Sequence, residues 1–170
     1  SKEVAQIAEA AVGAPPSAPP PAAGAPAAGE YSPTRFEGKW FVYTFTTTYS
    51  DTNAVGNVYF AYYGVWVGKT RELFFQHAMP QFDLKNTSFY ILTREYKHKF
   101  IREAQEFMKV SVRLRIAGYN RKFVTLAHQV VDDQGNLLGK GEQSLMFVSS
   151  KDYKLIDIPP EVYSSFISYA

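Results

Sequence analysis

The sequence predicts an α+β fold: a curled antiparallel sheet of about five strands wrapped around one long central helix. One long apolar segment, residues 57–79, follows a β-branched, aromatic run and precedes four strand-like runs. Short turn sequences join the later runs, which makes neighbouring strands antiparallel. One helix and a sheet with a single buried face fit only a layered or wrapped arrangement.

Residues 1–11 (SKEVAQIAEAA) read as a short helix or helix remnant, with Ser1 as N-cap and Val4, Ile7, Ala8 and Ala11 on one stripe. Seven of the ten prolines lie between Pro15 and Pro33, in a tract otherwise mostly Ala, Gly and Ser. Such a tract buries too little apolar surface to offset its ordering entropy, so residues 12–34 are assigned as a semi-extended linker. Residues 35–170 form one domain, long enough for a real core. The start without methionine, followed by helix remnant and linker, predicts a domain cut from a larger multidomain protein; an expression boundary is the alternative.

Residues 40–49 (WFVYTFTTTY) alternate well and read as a strand. Residues 57–79 read as a helix of about six turns, ended by Pro80. Val58, Tyr62 and Val65 lie on one side of it and Tyr59, Tyr63 and Trp66 on another, so it is expected to be buried on nearly all sides. Gly64 and Gly68 give it a smooth flank for close packing. Residues 88–100, 107–117, 123–131 and 137–149 are the remaining strands; Met108, Val110, Val112, Leu114 and Ile116 share one face of the second. Residues 132–136 (DDQGN) make a hairpin turn. Residues 151–170 read as a tail whose Val162, Tyr163, Phe166 and Ile167 cover a sheet edge or contact another protomer.

No cysteine is present, which removes disulfides and thiolate chemistry. No apolar run approaches a membrane span, and no signal-peptide profile opens the chain, so the cytoplasm is expected. A net charge of +2 gives no case for nucleic acid. Residues 94–122 nevertheless hold nine Lys/Arg (94, 97, 99, 102, 109, 113, 115, 121, 122) against three Glu (95, 103, 106). They make either a solvated sheet face or a docking surface for coenzyme A phosphates or an acidic carrier protein. The three histidines, His77, His98 and His128, share no metal-ligand spacing, so neither a metal nor another cofactor is expected.

The chemistry concentrates in residues 49–63 (YSDTNAVGNVYFAYY), a polar, glycine-containing turn at the mouth of the helix. Free N–H groups at a helix start make a site for a carbonyl or an anion. The stretch resembles the signature of hot-dog-fold acyl thioesterases, a pattern like Asp-x-Asp-x-x-Gly-x-Val-x-x-x-x-Tyr. Asp51, Gly56, Val58 and Tyr63 match it, while Asn53 stands where the second acid supplies a nucleophile or base. An amide can do neither at neutral pH. The branch found in enediyne polyketide pathways is similar at that point. Its pattern resembles Thr-Asn-x-Val-Gly-Asn-Val-Tyr-Tyr with an Arg-Glu pair further along. Thr52, Asn53, Val55, Gly56, Asn57, Val58, Tyr59, Arg71 and Glu72 match.

The resemblance implies a hot-dog fold and hydrolysis of an acyl, β-ketoacyl or polyketide thioester from the phosphopantetheine of a carrier protein or CoA. It implies catalytic roles for Asn53, Arg71, Tyr63 and Glu72, and oxyanion or substrate binding by Gly56, Asn57, Val58 and Tyr59. It also implies a homodimer or homotetramer alongside other synthase domains. Arg71 lies about 21 Å along a helix starting at residue 57, so it requires a bent helix or service to a partner's site. A non-catalytic dimerisation or carrier-docking domain is the alternative, and an isomerase, cyclase or dehydratase on the same fold is a third.

Overall fold

Period-two alternation puts one face of each long strand into the core. In β4 (Lys109–Tyr119), Val110, Val112, Leu114 and Ile116 are buried, while Lys109 is exposed and Arg113 and Arg115 are partly so. The computed structural model describes residues 33–52, 58 and 60–170. The helix remnant and almost all of the linker lie outside those residues.

Seven strands form one antiparallel sheet rather than the five expected: β1 (Thr34–Glu37), β2 (Trp40–Thr46), β3 (Phe89–Phe100), β4, β5 (Phe123–Asp132), β6 (Leu137–Ser149) and β7 (Leu155–Ile156). Their order is β1–β2–β4–β5–β6–β3, with β7 pairing β6 beyond the start of β5. The two additions are short. β1 starts on Thr34, the last residue assigned to the linker, and Gly38 at φ 59° turns the chain into β2. β2 stops at Thr46 instead of running to Tyr49, because the Asp51 carboxylate accepts the Thr48 amide at 2.8 Å and Tyr49–Asp51 closes into a 3-10 turn.

The helix α1 (Ala61–Ala78) joins β2, near one edge, to β3 at the other, so the chain must cross the sheet face. It starts later than residue 57, and it is not buried all round. Tyr63, Trp66, Val67, Thr70 and Phe74 form one buried stripe, while Val65 is 59% exposed. Their i, i+3, i+4, i+7 spacing marks a helix lying on one concave face. Phe74 stacks on Phe41 of β2 at 4.8 Å, and Trp66 meets Phe45 edge-on at 5.0 Å.

The C-terminal segment seals the far end of this helix. After α2 (Pro160–Ser164), Phe166 packs edge-on against Phe74 at 4.9 Å and Phe75 at 4.8 Å. Val162, Phe166 and Ile167 are all buried.

One irregularity decides what faces the helix. Along β3 against β6, Thr93 pairs with Leu145 but Glu95 pairs with Ser144, leaving Arg94 as an extra residue. A single inserted residue reverses parity. The inward set therefore changes from Phe89, Ile91 and Thr93 to Tyr96, His98 and Phe100.

Candidate active site

The turn before α1 is held by its own polar groups. Thr52 donates through its hydroxyl and its amide to Tyr49 O, at 2.8 and 3.1 Å. Thr52 and Val58 then form an isolated antiparallel bridge, and the Val58 amide donates to Ala104 O at 2.9 Å. Asn53, Gly56, Asn57 and Tyr59 lie outside the described residues. Asp51, the acid matching the first motif position, faces back to Thr48 as a turn cap. The Val58 N–H, expected among the oxyanion donors, already has a carbonyl partner.

Beside Val58, a cleft of about 250 Å³ opens against the first turn of α1. Phe60, Tyr63, Phe100, Ile101, Arg102 and Glu103 complete its lining. Phe60 and Phe100 meet edge-on at 6.2 Å and both are exposed, so one side of the rim is apolar, while Arg102 and Glu103 make the other side charged. Tyr63 is its buried anchor. Its hydroxyl donates to Arg102 O at 3.2 Å and accepts the Ala104 amide at 3.0 Å. Burial raises its pKa, which keeps the phenol neutral and able to donate.

Arg71 lies ten residues into α1, about 15 Å from its start. The helix is continuous from Ala61 to Ala78, and the guanidinium turns to the sheet. Its Nη1 donates to Thr93 Oγ1 at 2.5 Å and to Gln143 Oε1 at 2.9 Å. Burial pulls its pKa down while neighbouring Glu72 pushes the other way. Glu72 itself is exposed. Arg71 and Tyr63 thus occupy separate stations along the same helix.

Two residues that the sequence left unassigned meet beneath that helix. His98 on β3 and His128 on β5 are separated by β6, yet His98 Nδ1 and His128 Nε2 lie 2.9 Å apart. Their shared neighbour across the sheet is Gly141, paired with both. A Cβ there would collide with Lys97 O and come within 2.8 Å of the His128 ring, so the glycine is what lets the imidazoles join over the middle strand. Burial lowers both pKa values. His128 is brought to about 4, with the His98 charge a secondary cause. No spacing rule links residues 30 apart; only the strand register could have revealed the pair.

The opposite sheet face carries the basic stretch. Lys97, Lys99 and Arg115, together with Lys140, line a groove of about 520 Å³ alongside Trp40. Arg115 lies 5.1 Å from the Trp40 ring. Other members of the cluster are engaged: Arg113 with Glu37, and Arg121 and Lys122 with Asp157.

This fold and cleft define a class. The profile of the Thioesterase-like superfamily matches residues 47–166, and the chain belongs to that superfamily, whose named structural relatives are thioester hydrolases. A solved structure of the dynemicin thioesterase is similar at 26% identity and TM-score 0.68, covering 76% of this chain and 96% of that one. A Staphylococcus aureus protein solved in complex with CoA aligns at 17% identity and TM-score 0.72, covering 79% and 86%. The 1,4-dihydroxy-2-naphthoyl-CoA thioesterase from Synechocystis aligns at 16% identity and TM-score 0.67, covering 74% and 93%. The last two likenesses concern the fold alone. No curated protein sequence matches the chain.

Proposed function

We propose that this protein hydrolyses an acyl thioester carried on phosphopantetheine, and that its acyl group is a β-ketoacyl or polyketide chain. The supporting observation is the cleft beside Val58 and Tyr63, part aromatic and part charged, directly flanking the thioesterase-like turn. The likeness to the dynemicin thioesterase supports the polyketide reading, since that structure is described with a bound polyene. The CoA complex of the Staphylococcus aureus protein supports a pantetheine-borne substrate.

The proposed reaction needs no carboxylate. Asn53 holds the attacking water or the thioester carbonyl. Water adds to the carbonyl carbon, and backbone N–H groups at Gly56 and Asn57 stabilise the tetrahedral oxyanion. Loss of one such donor costs about 2.7–4 kcal/mol elsewhere. Collapse of the intermediate breaks the C–S bond, and the sulfur leaves with a proton as pantetheine thiol while the acid is released. The Tyr63 ring walls the acyl entrance, and Tyr59 is assigned to substrate binding. Arg71 and Glu72 act further along the helix, either on the chain's own substrate or on that of a second subunit in a cytoplasmic homodimer or homotetramer. A carrier protein and neighbouring synthase domains are the proposed partners.

Asn53→Ala tests the assignment. Thiol release should drop about 100-fold with fold and oligomeric state unchanged. Undiminished turnover in that variant would remove Asn53 from the mechanism.

A further inference from the structure

Four buried polar atoms among the described residues have no hydrogen-bond partner: Arg71 Nε, Gln143 Nε2, His98 Nε2 and His128 Nδ1. Few such atoms survive in a folded protein without a partner, because each costs about 1–3 kcal/mol. These four are not scattered. Gln143 and Gly141 are alternate inward positions of β6; Gln143 pairs across to Tyr96 and Leu126, and Gly141 to His98 and His128. Arg71 reaches the same place from the helix, through its bond to Gln143 Oε1. Gln143 and His128 are almost completely buried, at 2% and 1% exposure. The unmet atoms therefore form one polar strip inside an otherwise apolar helix–sheet interface.

The hydrogen-bond inventory fixes what would satisfy it. Gln143 spends its carbonyl on Arg71, so its free group is the NH2, a donor. Arg71 Nε–H is also a donor. In the histidine pair, one ring donates to the other whichever tautomer is present. That leaves one free acceptor and one free donor. The strip thus offers mainly donors, and its complement is a chain bearing carbonyl or hydroxyl oxygens. A plain hydrocarbon tail would leave all four atoms unmet.

We infer that the strip formed by Arg71, Gln143, His98 and His128 is an internal binding site for the oxygen substituents of an acyl chain, selecting oxygenated over saturated chains. The inference rests on the thioesterase reading for the identity of the ligand as an acyl chain. It deepens that reading by naming the residues that recognise the chain's oxygens. His98 also adjoins the cleft's lining, with its ring centroid 5.4 Å from that of Tyr63 and 4.5 Å from that of Phe100. The His98 end of the strip therefore packs against two residues that line the proposed entrance.

The test is binding of two free acids of equal length by the full chain, decanoic acid and a decanoic acid carrying mid-chain ketones. Neither ligand requires hydrolysis, so a failed thioesterase assay leaves this result readable. The wild-type protein should bind the oxo acid about tenfold tighter, the worth of a recovered hydrogen bond. Gln143→Met removes the donor at similar volume, and Gln143→Glu removes it while keeping a partner for Arg71. Both should erase the preference without weakening the decanoic acid. Thermal melting of each variant checks that it is folded. Equal binding of the two acids by the wild type, binding of neither, or a preference that survives both substitutions overturns the inference.

Discussion

Tyr63 is a residue whose structural duty is now explicit. Its single hydroxyl serves two backbone groups of residues 102–104, and Ala104 is fully buried. Tyr63→Phe strands the Ala104 amide without replacement. We expect a stability loss of about 1–3 kcal/mol in urea unfolding, with the cleft widened. A change of no more than roughly 0.3 kcal/mol would mean water takes over both bonds. The motif made Tyr63 visible in the sequence, but not this use of it, because its partners lie about 40 residues away. The His98–His128 pair was hidden for the same reason. Asn53 remains the residue on which the proposed chemistry turns, and it was legible only through the run of matching residues around it.

Among the elements, β6 sets the layout of the site. Its Gly139 and Gly141 stand where side chains would be expected. A Cβ on Gly139 would come 2.5 Å from His98 Nε2. At Gly141 the obstruction is the backbone carbonyl of Lys97, which cannot swing aside as a side-chain end does. Gly141→Ala should therefore force β3 and β6 apart locally, at a cost of at least about 3 kcal/mol, read as a lowered denaturation midpoint. Gly68→Ala is the control. Nothing lies near its Cβ position, and replacing a helical glycine there should stabilise by roughly 0.5–1 kcal/mol. Strand alternation in β4 was readable because its inward face, Val110, Val112, Leu114 and Ile116, is uniformly apolar. The switch of parity in β3 was not, because a bulge leaves no signature in the hydrophobic pattern. The helix was over-read for a related reason: aromatic residues on its outer side count as core in a sequence but stand partly exposed in the fold.

At the scale of the whole molecule, buried His128 and half-buried His98 make stability depend on pH. His128 protonates at about 4 in the folded chain, against an ordinary value of 6.5. Between those values the unfolded chain holds more protons, so acidification favours unfolding. Stability should be full above about pH 6.5 and fall as pH drops towards 4, with the His98 shift adding in the same direction. The double variant His98→Phe, His128→Leu should flatten the melting temperature over that range; an unchanged slope would assign the effect to other groups. The C-terminal segment belongs to the same core. Phe166 is fully buried against Phe74 and Phe75, and Phe166→Ala should cost about 3–5 kcal/mol. The sequence showed that segment's apolar spacing and offered a sheet edge or another protomer as its partner. Phe166 instead packs on the central helix, because apolar spacing does not say which surface it meets.

The central claim is that a cleft at the mouth of α1 cleaves acyl thioesters without a carboxylate. The most direct measurement is thiol release from matched saturated and β-ketoacyl thioesters, each presented on pantetheine, on CoA and on a carrier protein, with Asn53→Ala alongside. The account predicts turnover by the wild-type chain, fastest on the β-ketoacyl series and lost in the variant. A folded protein that releases no thiol from any of them would contradict it and leave a hot-dog domain that docks its partners without catalysis.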